Sequence, residues 1–439
     1  MLNRIELITS SFLISILLLL LIFGCTSLET GSREVNNRQR SPEFQNRFTI
    51  SQQKAPPREI QSVQLYRKGS MQSAPIITLN SSEKLSLEFD HLGEGTKQFR
   101  LTVSHRSKNW EESPLPPDFY LTGFSEVYFS NASKSFSQRP SYFHYTYEFP
   151  NSQLNFKASG NYLLSVYDYN NNELLFTLPF FVTENQGSLD TRVETLYVRR
   201  DDLRPEDQPF SRYRYPDFVE FPQFDLSYMY VQNQFWGRYR VVENSDTATP
   251  EVVNFHLSRD RAFLGNYEFN ALDLRSLRAD GQQILEVQQG EIPPKVILRR
   301  DIQSFDVKPG FAPDGRFGIP LDNRSASYAN VQFRLETSGM VSGDENIFLL
   351  GDFNNWTINN DNRMQYNVES DLWEGQAFIK EGEYAYKYVM VKNGNIDDLS
   401  LDRGFQRTGQ NYVTFVYYKD PTRNYDRLLK VEQTQSRSF

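Results

Sequence analysis

The sequence predicts an all-β protein with two or three β-sandwich domains that follow a signal peptide and a flexible tether. The aromatic content is the first observation, because the 439 residues include 25 Tyr and 34 Phe, which favour strands and supply large buried areas. The second is a series of short segments that alternate apolar and polar residues between Gly, Pro, Asn and Asp. The hydrophobic share of 38% is low, but the aromatic rings suffice for real cores.

The charge pattern argues against a nucleic-acid partner. The formal net charge is -8, and acidic and basic residues are interspersed along the chain. Nucleic-acid-binding proteins carry a basic patch or stripe, and this sequence has none. The net charge therefore bears on solubility only.

The N-terminus predicts a signal peptide over residues 1–24. Phe12–Phe23 is apolar except for Ser15, and it is too short for an ordinary membrane span. Its end, Leu21–Cys25, resembles the lipobox of bacterial lipoproteins, in which the cysteine thiol becomes a thioether to diacylglycerol. Cys25 is the only cysteine, so its acylation leaves no thiol to oxidise. The alternatives are a plain membrane anchor and a cleaved secretory signal.

Residues 25–57 are predicted to form the lipidated cysteine and a flexible linker. Arg, Gln, Asn and Ser dominate this stretch, which closes with Ala55-Pro56-Pro57. Such a composition cannot bury enough apolar surface to order itself.

Residues 58–185 are predicted to form an N-terminal β-sandwich. Its strand candidates alternate apolar and polar residues or follow a turn signal: Val63–Tyr66, Leu85–Phe89, Phe99–Val103, Gly160–Tyr167 and Leu174–Val182. The last two flank Asn170–Asn172 and predict a closing hairpin.

Residues 190–320 are predicted to form a middle β-rich domain. Leu226–Asn233 and Val296–Asp301 are its strand candidates, and Asp201–Tyr215 is interpreted as a long polar connection. The alternative is that this region packs as one unit with the first domain.

Residues 329–433 are predicted to form a C-terminal sandwich. Its strand candidates are short and bounded by Gly, Asn or Asp: Val331–Leu335, Ile347–Leu350, Trp373–Ile379, Ala385–Val391 and Tyr412–Tyr418. Their number and length are typical of an immunoglobulin-like fold.

Three motifs of this last region resemble the early-set sandwich related to glycogen- and starch-binding modules. They are Gly351–Trp356 (GDFNNW), Leu372–Gly375 and Gly382–Tyr388. In the first motif, the aromatic rings are expected to fix a turn by burial beside the Gly-Asp corner.

The same resemblance places candidate sugar contacts at Trp356 and Lys387, with Asn411 near a third contact position. Glycogen-binding modules also carry a second tryptophan in the next loop, whereas Lys392–Ile396 contains no aromatic residue. One aromatic platform without its partner binds glycan weakly. We therefore favour a core or corner role for Trp356, and we expect no glycan partner.

The whole mature chain resembles the plug proteins of the type IX secretion system. Val413–Lys430 is similar to the characteristic end of that family, and Val63–Leu79, Ser104–Leu115, Gly160–Tyr167 and Gly265–Leu277 are similar to upstream segments in the same order. The resemblance covers roughly residues 59 to 430.

This resemblance implies a non-enzymatic function. Plug proteins lie on the periplasmic side of the very large outer-membrane barrel through which type IX substrates leave, and they close the pore when no substrate engages it. The expected partners are thus that barrel and, through lipidated Cys25, the outer membrane. No cofactor is implied.

The motifs of common enzymes are missing from the sequence. His91, His105, His144 and His256 are scattered without metal-ligand spacing, and no nucleophile elbow, Walker loop or dinucleotide fingerprint occurs. We expect no catalytic residue and no metal. The other functions considered are an envelope lipoprotein that binds glycan through its C-terminal sandwich, and a non-catalytic envelope scaffold.

The sequence does not assign the residues of the partner interface. Two long polar segments, Asp201–Tyr215 and Lys308–Arg324, are candidates for it on length and polarity alone.

Overall fold

The computed structural model describes residues 48–71, 73–137, 140–197, 205–265, 268–279, 282–302, 319–320, 324–337, 341, 345–392, 395–402 and 409–436. This part is almost entirely β-structure, which confirms the predicted fold class. The signal peptide, Cys25 and most of the predicted tether and of Lys308–Arg324 lie outside the described residues. Within the described ranges, no helix has both the length and the apolar character to span a bilayer.

The strands, in chain order, are β1 (Ile60–Arg67), β2 (Ile76–Thr78), β3 (Leu85–His91), β4 (Phe99–Arg106), β5 (Leu121–Gly123), β6 (Glu126–Phe129), β7 (Ala132–Lys134), β8 (Phe143–Phe149), β9 (Leu154–Phe156), β10 (Gly160–Asp168), β11 (Leu174–Thr183), β12 (Ser188–Tyr197), β13 (Pro205–Arg214), β14 (Leu226–Gln232), β15 (Tyr239–Val241), β16 (Ser245–Asp246), β17 (Val252–His256), β18 (Phe263–Leu264), β19 (Asn270–Asp273), β20 (Ile284–Gln288), β21 (Lys295–Leu298), β22 (Asp301–Ile302), β23 (Ile319–Pro320), β24 (Tyr328–Glu336), β25 (Asn346–Gly351), β26 (Gln365–Asn367), β27 (Leu372–Lys380), β28 (Gly382–Lys392), β29 (Asn395–Asp397), β30 (Asn411–Lys419) and β31 (Asp426–Gln435). Two four-residue helices, α1 (Pro117–Tyr120) and α2 (Pro222–Asp225), precede β5 and β14. Single 3-10 turns occur at Arg259–Arg261, Asp352–Asn354 and Asn360–Asn362.

The first sandwich is formed by the sheets β1-β3-β8-β7 and β2-β11-β10-β4-β6. Apolar side chains from both sheets meet in one core, in which the ring centroid of Phe89 lies 5.0 Å from Phe99 and 5.4 Å from Phe176. The strand segments predicted in this region are all confirmed. Strands β10 and β11 pair antiparallel from Gly160↔Val182 onward, which confirms the predicted closing hairpin.

The second sandwich combines the middle of the chain with its end. One sheet is β12-β13-β17-β16 with β18 on β13, and the other is β15-β14-β30-β31. Strand β14 pairs with β30 from Leu226↔Tyr418 to Gln232↔Tyr412. The predicted ranges 190–320 and 329–433 therefore share a sheet, and the division of the chain into independent domains stays a prediction.

The third sandwich contains the strands of the GDFNNW region. Its sheets are β19-β28-β23, with β25 and β29 on β28, and β20-β21-β24-β27-β26, with β22 on β24. They enclose one core with Trp373, Phe333 and Tyr386 among its members. The predicted strands at Val331–Leu335, Ile347–Leu350, Trp373–Ile379 and Ala385–Val391 are confirmed.

The prediction of a polar connection at Asp201–Tyr215 is wrong. Residues Pro205–Arg214 form β13, which pairs with β12 along its whole length. Burial of its polar side chains is compensated by tertiary hydrogen bonds: Asp207 accepts from the Thr195 hydroxyl at 2.7 Å and the Tyr412 hydroxyl at 2.8 Å. These partners are remote in sequence, so composition alone indicated a solvated loop.

The last residues of the predicted tether lie against the first and third sandwiches. Phe48 and Ile50 are buried, because both are apolar. The backbone N–H of Lys54 donates to Thr177 Oγ1 at 2.7 Å, and the Thr177 hydroxyl donates to the carbonyl of Gln52 at 2.8 Å. These contacts fix residues 48–54 on the folded part of the chain.

Candidate functional site

The GDFNNW motif forms a tight corner at the end of β25, next to β28, the strand with which β25 pairs. The carboxylate of Asp352 accepts from Trp356 Nε1 at 3.0 Å and from the backbone N–H of Ala385 at 2.9 Å. The N–H of Gly351 donates to Asn354 Oδ1 at 2.9 Å. A Cβ atom at Gly351 would lie 2.7 Å from the Ala385 carbonyl oxygen, so the close approach of the two strands requires glycine.

The Trp356 indole lies inside an aromatic cluster and is only 6% exposed. Phe48 stacks on it with ring centroids 5.5 Å apart, and Phe235 and Phe269 contact it edge-on at 5.0 and 5.5 Å. A sugar ring needs an open aromatic face, which Phe48 covers here. The indole therefore acts as a packing residue between the corner and the neighbouring elements.

The other two candidate sugar contacts are also engaged within the protein. Lys387 is buried, and its Nζ donates to the carbonyl of Glu268 at 3.1 Å and to the carboxylate of Asp402. Asn411 lies on β30, where its backbone N–H donates to Asn233 Oδ1 at 3.0 Å. Trp356 and Lys387 both contact the ring of Phe269, whereas Asn411 belongs to the sheet of the second sandwich. The sugar-contact role of the three residues stays a prediction.

A small cleft separates strand β1 from the GDFNNW corner. It has a volume of about 140 Å³, and its lining includes Phe48, Gln61–Tyr66, Trp356 and Phe378–Lys380. Pockets that enclose drug-sized ligands measure roughly 300–1,000 Å³. This cleft is therefore too small for a substrate of that size.

A buried ionic cluster joins the first and third sandwiches. Asp90 on β3 is fully buried and accepts from Lys380 Nζ on β27 at 2.7 Å, from the Tyr328 hydroxyl at 2.7 Å and from His144 Nδ1 at 2.8 Å. Burial, reinforced by the nearby charge of Asp90, raises the pKa of Tyr328 well above its usual value, so its hydroxyl remains a donor. The cluster connects two sandwiches, and its side chains hydrogen-bond to one another.

His91 and His144 occupy adjacent positions on the paired strands β3 and β8, whereas His105 lies on β4 and His256 on β17. Burial lowers the pKa of His105 to about 4, where its ring packs among tyrosines of the first core. His144 belongs to the Asp90 cluster. In the described part of the chain, no group of three or more His, Cys, Asp and Glu side chains is placed to hold a metal ion.

Sequence reasoning missed an exposed aromatic surface, which we call the phenylalanine surface. It consists of Phe119 on α1 and of Phe218, Phe221 and Phe224, which precede or form α2. Their exposed fractions are 47, 40, 56 and 79%. The regular spacing of phenylalanines at every third position of Phe218–Phe224 (FVEFPQF) was the one sequence signal for these exposed rings. It did not predict their exposure, because a buried strand has an equally apolar composition.

Two arginines near the C-terminus lie against two of these rings. Arg427 lies 4.8 Å from the ring centroid of Phe218, and Arg423 lies 5.7 Å from that of Phe119. Both arginines belong to the β30–β31 hairpin or its turn. Arg427 is held in place by Glu184, which accepts from its Nε at 2.8 Å and its Nη2 at 2.7 Å.

Comparison with protein families identifies the first sandwich. Residues 60–184 match the family model described as the type 9 secretion system plug protein 1st domain. Residues 60–184 are therefore similar to the first domain of type 9 secretion system plug proteins, which confirms the family resemblance found in this part of the sequence.

Comparison with solved structures shows the same fold in another bacterial protein. A hypothetical protein from Parabacteroides merdae has a TM-score of 0.79 with this chain at 23% identity, covering 88% of this chain and 99% of that one. The C-terminal domain of the AgI/II polypeptide BspA from Streptococcus agalactiae has a TM-score of only 0.18 with this chain, at 8% identity. That alignment covers 85% of this chain and 99% of that one. A comparison with curated proteins found no match.

Proposed function

We propose that this protein is a periplasmic plug that binds and closes the large outer-membrane barrel of the type IX secretion system when no substrate is engaged. The observation that carries the proposal is the match of residues 60–184 to the plug protein first domain. The order of similar segments along nearly the whole chain supports it.

The proposed mechanism is steric and non-catalytic. A plug must keep its shape against a wide pore, and the three sandwiches are joined by polar contacts such as the buried Asp90–Lys380 pair and the half-buried Arg427–Glu184 pair. A complex that must release when substrate arrives needs an interface of roughly 1,200–2,000 Å² rather than a large obligate one. Substrate arrival would displace the plug without any bond being made or broken.

The proposed location is the periplasmic face of the outer membrane, with a lipid anchor on Cys25. The lipobox-like Leu21–Cys25 supports this location. Each buried acyl methylene contributes about 0.8 kcal/mol, so several chains on one residue hold firmly. Mass spectrometry of the protein purified from the producing bacterium should show Cys25 as an acylated N-terminal residue, whereas an unacylated Cys25 would contradict lipid anchoring there.

An affinity pull-down tests the plug function. The tagged full chain is purified from detergent-solubilised membranes, and the co-purifying proteins are identified by mass spectrometry. We expect one outer-membrane barrel of the type IX kind. Its absence, under detergent conditions that keep known barrel complexes intact, would overturn the proposal in favour of an envelope scaffold.

A further inference from the structure

A buried lysine and a buried aspartate form a pair in the third sandwich that the steric mechanism of a plug does not require. Lys387 lies on β28 and Asp402 follows β29, and their side chains are 2% and 4% exposed. Lys387 Nζ donates to Asp402 Oδ1, which places the amine next to Cγ of the same carboxyl group. An amine and a carboxyl group held in this way are the two components of an amide bond.

The backbone of Glu268 orients both groups of the pair. Its carbonyl accepts from Lys387 Nζ at 3.1 Å, and its N–H donates to Asp402 Oδ2 at 3.4 Å. The N–H therefore faces the oxygen on which negative charge develops when Nζ attacks Cγ, and a fixed donor at that position stabilises the charge. Because both side chains are held by one residue, the attack needs little further ordering.

A small cavity adjoins the pair. It has a volume of about 20 Å³, and its lining includes Glu268, Leu335, Lys387, Leu401 and Asp402. A cavity of at least roughly 10–15 Å³ can hold one water molecule. The site therefore has room for the single water that amide formation releases. The buried side chains of Leu335 and Leu401 limit the entry of further water, which would hydrolyse the product.

We propose that Lys387 and Asp402 are joined by an isopeptide bond, which forms spontaneously once the third sandwich has folded. A proton moves from Nζ to Oδ1 along their hydrogen bond, and the neutral amine then attacks Cγ. In the tetrahedral intermediate a second proton passes from Nζ to Oδ1, the bond between Cγ and Oδ1 breaks, and this oxygen leaves as water. The atoms balance without a further reactant, and the amide keeps one N–H for the Glu268 carbonyl.

The bond supplies a covalent cross-link to a chain that cannot form a disulfide within itself. Cys25 is the only cysteine, so no pair of thiols is present to tie two strands together. The amide closes the loop of residues 387–402 and fixes the segment after β29 on β28. Closure of a loop restricts the unfolded chain, as a disulfide does, but an amide is insensitive to reducing agents. This cross-link is independent of the proposed plug function.

Peptide mapping of the full chain tests the proposal. The protein is unfolded in urea, digested with trypsin and analysed by tandem mass spectrometry. Trypsin does not cleave after a lysine whose amine is in an amide bond. Glu381–Lys392 and Asn393–Arg403 should therefore appear as one cross-linked peptide, with a mass below their sum by one water molecule. The Lys387→Met variant has no amine at this position and should release Asn393–Arg403 as a free peptide.

Lys97 is the control within the same digest. Its Nζ also donates to a carboxylate, that of Asp168 at 2.9 Å, but 36% of the Lys97 side chain is exposed. Water reaches this pair, so trypsin should cleave after Lys97. Cleavage after Lys387 in the unmodified protein, with Asn393–Arg403 recovered as a free peptide, would overturn the proposal. A cross-link from Lys387 to the peptide that contains Glu268 would also overturn it. The unmodified protein gives the decisive result, which does not depend on the folding of a variant.

Discussion

Replacement of Lys380 by methionine removes the positive charge from the buried cluster that joins the first and third sandwiches. The side chains of Lys380 and Asp90 are 1% and 0% exposed, and Nζ lies 2.7 Å from the carboxylate. Methionine keeps an unbranched apolar stem of similar volume, so the change creates little empty space. The main effect is therefore that the buried Asp90 carboxylate loses its lysine partner.

The expected loss of stability follows from what Asp90 retains. Removal of one member of a buried ion pair costs about 3–5 kcal/mol, because the remaining charge is uncompensated. In this cluster Asp90 still has two hydrogen-bond partners, the Tyr328 hydroxyl and the His144 ring. We therefore expect a loss at the low end of that range, about 3 kcal/mol.

Urea unfolding followed by tryptophan fluorescence and circular dichroism measures this effect. The Lys380→Met midpoint should shift to clearly lower urea, and Asp90→Asn/Lys380→Met should recover at least half of the shift, because no buried charge is then left alone. Arg58→Met is the matched control, since its ion pair with Asp361 is exposed, and it should not change the midpoint measurably.

The reasoning is refuted if Lys380→Met unfolds at the same urea concentration as the unmodified protein. It is also refuted if the Asp90→Asn/Lys380→Met variant loses as much stability as the two single changes added together. Either result would mean that the two side chains are not energetically coupled, and that the contact between the sandwiches rests on apolar packing alone.

Two further predictions concern His105 and Trp356. Burial lowers the His105 pKa to about 4, so the unfolded chain, with a histidine pKa near 6.5, binds a proton at intermediate pH that the folded chain does not. Stability should thus fall as the pH decreases from ~6.5 to ~4, by roughly 3 kcal/mol, and His105→Gln should lack this part of the loss in urea titrations across that range. Because Phe48 covers the Trp356 indole, calorimetric titration with soluble glucans should give no heat. Heat that disappears in Trp356→Ala, with the fold retained, would contradict this assignment.

The strands of the first and third sandwiches were predictable because their cores follow simple local patterns. Phe99-Arg100-Leu101-Thr102-Val103 alternates between core and surface, and its burial in β4 alternates in the same way. The GDFNNW corner was also predictable, because its glycine, aspartate and tryptophan act on residues only a few positions away. In both cases the determining interactions lie within a short stretch of sequence.

The pairing of β14 with β30 and the strand β13 could not be derived from local sequence. Tyr412–Tyr418 (YVTFVYY) has the same apolar composition whether it pairs within the third sandwich or with β14. In β13, Asp207 and Gln208 are buried only because Tyr412, Thr195 and the Leu257 carbonyl meet them. Such partners are brought together by the finished fold, so a polar stretch with two prolines had the composition of a loop.

The phenylalanine surface was missed for a related reason. Apolar residues such as Phe221 and Phe224 are ordinarily assigned to a core, and only the structure shows that the core is already complete without them. The burial of Trp356 was favoured from sequence, but the residue that covers it was not foreseen. Phe48 lies in a segment whose overall composition predicted a tether. The burial of its ring depends on tertiary contacts such as that with Trp356.

The late position of β30 and β31 in the chain has a consequence for biosynthesis. Ribosomes deliver the N-terminus first, so β14 has an unpaired hydrogen-bonding edge until Asn411–Lys419 has been synthesised. The first sandwich also contacts the end of the chain, since the N–H of Glu184 donates to the carbonyl of Leu428 at 2.9 Å. A stop codon before β30 would therefore leave β14 without its partner in the second sandwich and would remove the contacts that the first sandwich makes with β31.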